Sequence, residues 1–251
     1  MTNARWFSLV AVVAVVVVSV AATTQAGPYG YLRSAKIRPV ADTFDLYSSP
    51  RGGAIQRDAR HYVVRAGRRT ADGRYEMSDA WYDSTGKLTA LQSVRTGKGT
   101  IATEIETVRA NTDSASMLVV GDHVTAWVVP AGQPMRLFDG ATAGERYTTE
   151  MVASAIALTK PAIGAEFLAP ISVLYGPNPL LTSVDTIRVL RRDELSRGNS
   201  RIPVLVLERS GGTQTWMDEA TGSEVLSRGN AGPTRWWWHV RRGVTPPVSP
   251  K

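Results

Sequence analysis

Two stretches of this chain carry the same turn. Trp81-Tyr82-Asp83-Ser84-Thr85-Gly86 and Trp216-Met217-Asp218-Glu219-Ala220-Thr221-Gly222 both run from an apolar strand end through an aspartate to a glycine. The aspartate carboxylate can accept bonds from turn amides, and the glycine can take positive φ without a Cβ clash. Each turn reverses an extended segment, so the pair predicts a sheet of up-and-down strands.

The rest of the chain extends that pattern. Residues 27–53, punctuated by Pro28, Pro39 and Pro50, read as an extended arm with one short element. Residues 62–66, the hairpin turn Asp72-Gly73, and residues 74–82, 88–95 and 99–108 read as successive strands. In the last, Ile101, Thr103, Ile105 and Thr107 alternate with Glu104 and Glu106, so both acids are expected on a solvated face. Residues 117–120, 124–129 and 134–138 continue the strands.

A helical period then intervenes. Thr142-Ala143-Gly144-Glu145 fits a capping box, and Tyr147, Met151, Val152, Ala155, Ile156 and Leu158 form an apolar stripe up to Pro161. A helix is therefore expected over 144–160, and a shorter one over 170–175, opened by Pro170 and stopped by Gly176-Pro177. Strands resume at 184–190, 202–209 and 212–226 and end at Arg235-Trp236-Trp237-Trp238-His239-Val240-Arg241-Arg242. The expectation is mainly β with an α insertion: roughly ten antiparallel strands, a helical insertion near 144–176, and one domain over 27–243. Residues 244–251, with three prolines, read as a disordered tail.

The first residues set the compartment. Arg5 precedes an apolar run from Trp6 to Ala22, broken by Ser8 and Ser19, and Thr24 and Ala26 supply a small-residue exit. That order is an export signal cleaved near Ala26, placing the mature chain in a periplasm or outside the cell. The sequence holds no Cys, so neither a lipidated Cys nor a disulfide is available, and stability must come from the core. Hydrophobic residues make up 43% of the chain, enough to build that core. The formal net charge is +7, and residues 1–26 contribute one Arg and no acid, so the exported part stays basic. In that compartment the matching anions are phospholipid, lipopolysaccharide or wall polymer rather than nucleic acid.

Catalytic constellations are scarce. His61, His123 and His239 stand apart, without the spacing of a metal site, and no Gly-x-Ser-x-Gly elbow occurs. Neither a metal, a cofactor nor an enzymatic activity is expected from these residues. Two features admit a functional reading beside a packing one. The helical segments either pack on the sheet as ordinary core, or form a lid over an apolar cavity lined by Met151, Ile156, Phe167, Leu174 and Tyr175. The terminal strand either packs within the sheet, or presents Trp236, Trp237, Trp238, Arg241 and Arg242 to a membrane surface or an envelope protein. In extended conformation Trp236 and Trp238 face one way and Trp237 the other.

Three pieces, taken in order, resemble the periplasmic lipoprotein carriers of the LolA/LolB type. They are the segment Phe167–Gly176, the strand-like Arg201–Arg209, and the hairpin Thr215–Gly222 with its Trp-x-Asp and Thr-Gly. The resemblance implies an unclosed antiparallel β-barrel, a half-barrel with helices over its concave face. It also implies binding of an acyl chain, other lipid or lipoprotein without catalysis. The long N-terminal amphipathic helix of those carriers has no counterpart in 27–60, and no ligand residue matches one for one. The alternative is an envelope adaptor that docks a partner through a sheet edge or the Trp-rich segment.

Overall fold

The computed structural model describes residues 29–246 apart from 34, 112, 142–143, 173, 175–178 and 181. The export signal expected over 1–26 lies outside the described residues, as do Tyr175 and the last five residues of the tail. Among the described residues no helix is long and apolar enough to cross a membrane.

A four-residue helix, α1 (Gly30–Arg33), leads into β1 (Val40–Pro50), β2 (Gln56–Arg69), β3 (Tyr75–Asp83) and β4 (Leu88–Thr96). Then follow β5 (Thr103–Ala110), β6 (Ser114–Val120), β7 (His123–Val129) and β8 (Arg136–Ala141). After α2 (Thr149–Leu158) come β9 (Glu166–Ser172), β10 (Thr182–Arg197), β11 (Ser200–Arg209), β12 (Gln214–Asp218), β13 (Glu224–Asn230) and β14 (Arg235–Arg241).

All fourteen strands lie in one sheet, in the order β8-β7-β6-β5-β4-β3-β2-β1-β14-β13-β12-β11-β10-β9. Every named strand pair is antiparallel. The shared turn works as its chemistry requires. The Asp83 carboxylate accepts the amides of Thr85 and Lys87, Asp218 accepts those of Ala220 and Thr221, and Gly86 and Gly222 sit at φ 79° and 69°.

The sheet curls but does not close, since its two end strands β8 and β9 do not pair with each other. A strap before α2 spans part of the gap. The Thr103 amide donates to the Arg146 carbonyl at 2.8 Å, the Tyr147 amide to the Pro170 carbonyl at 2.9 Å, and the Ser172 amide to the Tyr147 carbonyl at 2.9 Å. The strap thus stitches the start of β5 to β9.

That use of the backbone explains two departures from the sequence reading. The helix starts at 149, with Thr148 as its N-cap, because residues 146–147 are engaged in sheet-type bonds. Residues 170–172 belong to β9 rather than to a helix. Pro170 is tolerated there because its carbonyl, and so its missing N–H, faces the strap instead of β10. A third departure is Glu106, which is buried. A bulge against Arg95 and Thr96 takes Glu104 out of phase, so Thr103 and Glu106 both turn inward while Glu104 pairs with Arg74 and Arg95. The arm over 40–50 is the full strand β1, and the described residues form fourteen strands where about ten were expected.

α2 lies on the concave face. Met151, Val152, Ala155 and Ile156 pack in one cluster with Tyr75, Met77, Val94, Ile187, Leu205, Leu207 and Met217. Burying each large member of such a set contributes roughly 1.5–3 kcal/mol. Strands β11–β14 are covered on their other face too. A bulge between Val189 and Arg191 bends β10, whose end is tied to the segment after β14 by the Arg197–Val244 bridge. A second core fills the space beneath, with Leu195, Val204, Val206, Trp216, Leu226, Trp236, Trp238, Val240 and Val244. Burial on both faces explains why 202–207 reads as a nearly continuous apolar run. It also corrects the tail: Val244 is buried and the Thr245 amide donates to the Ser196 carbonyl.

Candidate functional site

Two sites stand out, one on each face of the first half of the sheet. On the concave face the central group is Arg65 of β2. Its Nε and Nη2 donate to the two Asp79 carboxylate oxygens at 2.8 and 2.7 Å, and its Nη1 donates to Glu224 at 2.7 Å. A third carboxylate, Glu150 in the first turn of α2, lies 4.0 Å from Nη2. Trp81, Trp237, His239 and Ser227 join this set around a cavity of about 150 Å³.

The charges are set by this arrangement. Burial works against ionised Arg65, but Asp79 and Glu224 outweigh it and raise its proton affinity well above normal. Burial likewise opposes ionised Glu224, and Arg65 overrides it, so Glu224 is lowered. Glu150 is raised, because burial and the nearby Asp79 and Glu224 exceed the pull of Arg65. His239 is lowered by burial, against the attraction of Glu224. Asp79 and Glu224 are therefore engaged by one guanidinium, and Glu150 is held toward its neutral form.

The other site is on the outer face. Ala66, Ser78, Ser93, Thr107 and Ser116 stand opposite one another across β2 to β6, and the row continues to Trp127 and Leu137 at the β8 edge. Small side chains leave a trough of about 430 Å³ across β2–β5. The adjoining row on one side, half-buried Val64, Ala80 and Leu91 followed by Arg109, lies outside the lining of the trough. The other carries Arg68, Glu76 and Arg95 and then Ile105 and Leu118.

The residues singled out from the sequence are not brought together in one pocket. Ile156 is fully buried in the α2 core, and Met151 edges a small void beside Glu150. Phe167 packs edge-on against Tyr31, with ring centres 5.2 Å apart. Leu174 belongs to a separate cluster with Met117 and Ala126, and Tyr175 lies outside the described residues.

The terminal strand is β14, at the middle of the sheet. Trp236 and Trp238 face one way, into the core, and half-buried Trp237 faces the other, over Gly229. Arg241 is buried beside Asp42 at 3.2 Å, and Arg242 pairs with Asp45 at 2.9 Å. Sequence reasoning passed over Arg65, Asp79, Glu150 and Glu224. The hairpin turn at Asp72-Gly73 already sets Arg65 opposite Asp79, so register could have found that pair. Nothing local points to Glu150 or Glu224.

No family model and no curated protein matches this chain. Among solved structures, a beta-barrel-like protein of the domain of unknown function DUF1849 from Brucella abortus is similar. It is 9% identical, the match covers 84% of this chain and 98% of that one, and the TM-score is 0.33. A similarity of that size carries no functional argument.

Proposed function

We propose that this chain is an exported, non-catalytic binding protein for an elongated amphiphile, an acyl chain with an anionic head. The observation that carries this reading is the outer trough of about 430 Å³, a volume within the range of small-molecule sites. Its floor of Ala, Ser and Thr admits a narrow chain, Val40 and Ile105 in its lining can cover methylenes, and Arg68 and Arg95 in the same lining stand ready for the head. Seven strands at about 4.8 Å spacing give the row a span of about 29 Å. The concave face offers less room, because α2 fills it. The non-catalytic part of the reading is supported by the Arg65 site, where Asp79 and Glu224 are engaged by one guanidinium.

Displacement of a fluorescent fatty acid tests the reading. Saturable micromolar binding is expected for the parent. At least about tenfold weaker binding is expected for Ser93→Trp, which fills the floor, with circular dichroism unchanged. N-terminal sequencing of the mature protein should begin at Gly27. A parent with no saturable binding overturns the carrier reading. The adaptor reading then takes its place through the edge strand β8, where Leu137 is 71% and nearby Met135 57% exposed.

A further inference from the structure

The outer face of β12–β14 gathers indoles and guanidiniums in an unusual ratio. Arg228 of β13 is 8% exposed, and its guanidinium carbon lies 4.5, 5.4 and 5.9 Å from the ring centres of Trp236, Trp238 and Trp216. Arg51, just after β1, lies 4.2 Å from the Trp236 ring, and Arg191 of β10 lies 5.9 Å from the Trp216 ring. Three cations from distant parts of the chain therefore meet around three indoles.

Their hydrogen-bond partners are mostly neutral. Arg228 Nη2 donates to Gln214 Oε1 at 2.8 Å, and the Gln214 amide passes the bond on to Glu208 at 2.7 Å. Arg51 Nη2 donates to Asn230 Oδ1 at 2.7 Å. Asp193 approaches Arg191 Nε only to 3.6 Å. Three more donors in the cluster, Arg228 Nε, Trp216 Nε1 and Trp236 Nε1, are buried with no acceptor among the described residues.

A buried donor without an acceptor has lost its hydration with nothing in return, which destabilises the fold. Indole faces attract a desolvated cation, which offsets burial of Arg228 but gives nothing to the N–H groups. Burial and the charges of Arg191 and Arg51 lower the proton affinity of Arg228, with Glu208 opposing them. The cluster holds more donors and positive charge than its acceptors satisfy.

We propose that Arg51, Arg191 and Arg228, with the N–H groups of Trp216 and Trp236, form a binding site for a phosphate-type oxyanion. The site lies on β10–β14 and the segment after β1, apart from the β2–β5 trough, so it stands or falls independently of the amphiphile reading. Guanidiniums suit this ligand because each presents several donors in one plane. A free phosphate and a lipid headgroup share that chemistry.

Thermal unfolding and calorimetry of the purified chain in inorganic phosphate, against chloride at matched ionic strength, test the site. A saturable rise in midpoint and a saturable heat are expected for phosphate alone. Arg51→Ala and Arg191→Ala, at exposed positions that leave the fold intact, should each weaken phosphate by about tenfold or more. Arg228→Gln should abolish the response. Vesicles of phosphatidylglycerol that bind the parent, are competed by phosphate and fail with Arg51→Ala would identify a headgroup. Phosphate binding without vesicle binding would identify a free oxyanion. A phosphate response no larger than that of chloride, or one unchanged in both alanine variants, overturns the site.

Discussion

At the scale of single residues, the concave site sets a pH dependence with two opposed parts. Glu150 holds its proton more tightly in the folded chain than at its ordinary value of 4.5. The unfolded chain then releases that proton first, and stability is lost as pH rises above about 4.5 until the raised value is passed. His239 acts the other way. Burial disfavours its imidazolium, so stability is lost as pH falls below the ordinary 6.5 toward the lowered value. Glu150→Gln cannot ionise and removes the first part. The variant should be the more stable protein at about pH 8, with the gap closing toward about pH 4.5. Urea unfolding across that range checks this. A gap that stays constant would mean that Glu150 is ionised alike in both states.

At the scale of elements, the seat of α2 is a turn. The place where a Gly222 Cβ would stand is 2.8 Å from Leu158 Cγ and 3.2 Å from the Ser154 carbonyl, both on the helix. Gly222→Ala therefore combines a positive φ with a clash, and should cost about 1–3 kcal/mol, read as a lower midpoint in thermal unfolding. An unchanged midpoint would mean that the helix can shift freely on the hairpin.

This contact marks the limit of what the chain discloses locally. The need for glycine at 222 is legible, since it follows from the turn begun by Asp218. That a helix ends against it is not, since the two are far apart in sequence. The same division runs through the molecule. Strands β2 to β4 and β11 to β13 announce themselves by turn chemistry and alternation. β9 does not, because a proline opening an apolar run looks the same before a helix and on a sheet edge. Glu106 looked solvated because the bulge at Glu104 is silent in the sequence. Arg65 with Glu224, 159 positions apart, required the three-dimensional fold.

At the scale of the whole molecule, the sheet order has a consequence for how the chain folds. Every pair of neighbouring strands is consecutive in sequence except β1 and β14, where Phe44 stands opposite Arg241. Two meanders can zip from local hairpins, which is fast, while their union waits for the two ends of the chain to meet. A circular permutant that opens beside exposed Ile163 and links residue 246 to residue 29 makes that meeting a short loop closure. It should refold faster than the parent in stopped-flow fluorescence, and equal rates would place the slow step elsewhere. In the native connectivity β1 stays without its second partner until β14 has been made. A chain halted before residue 235 would present β1 as an open edge, and escorts that shield unpaired strands would find their substrate there.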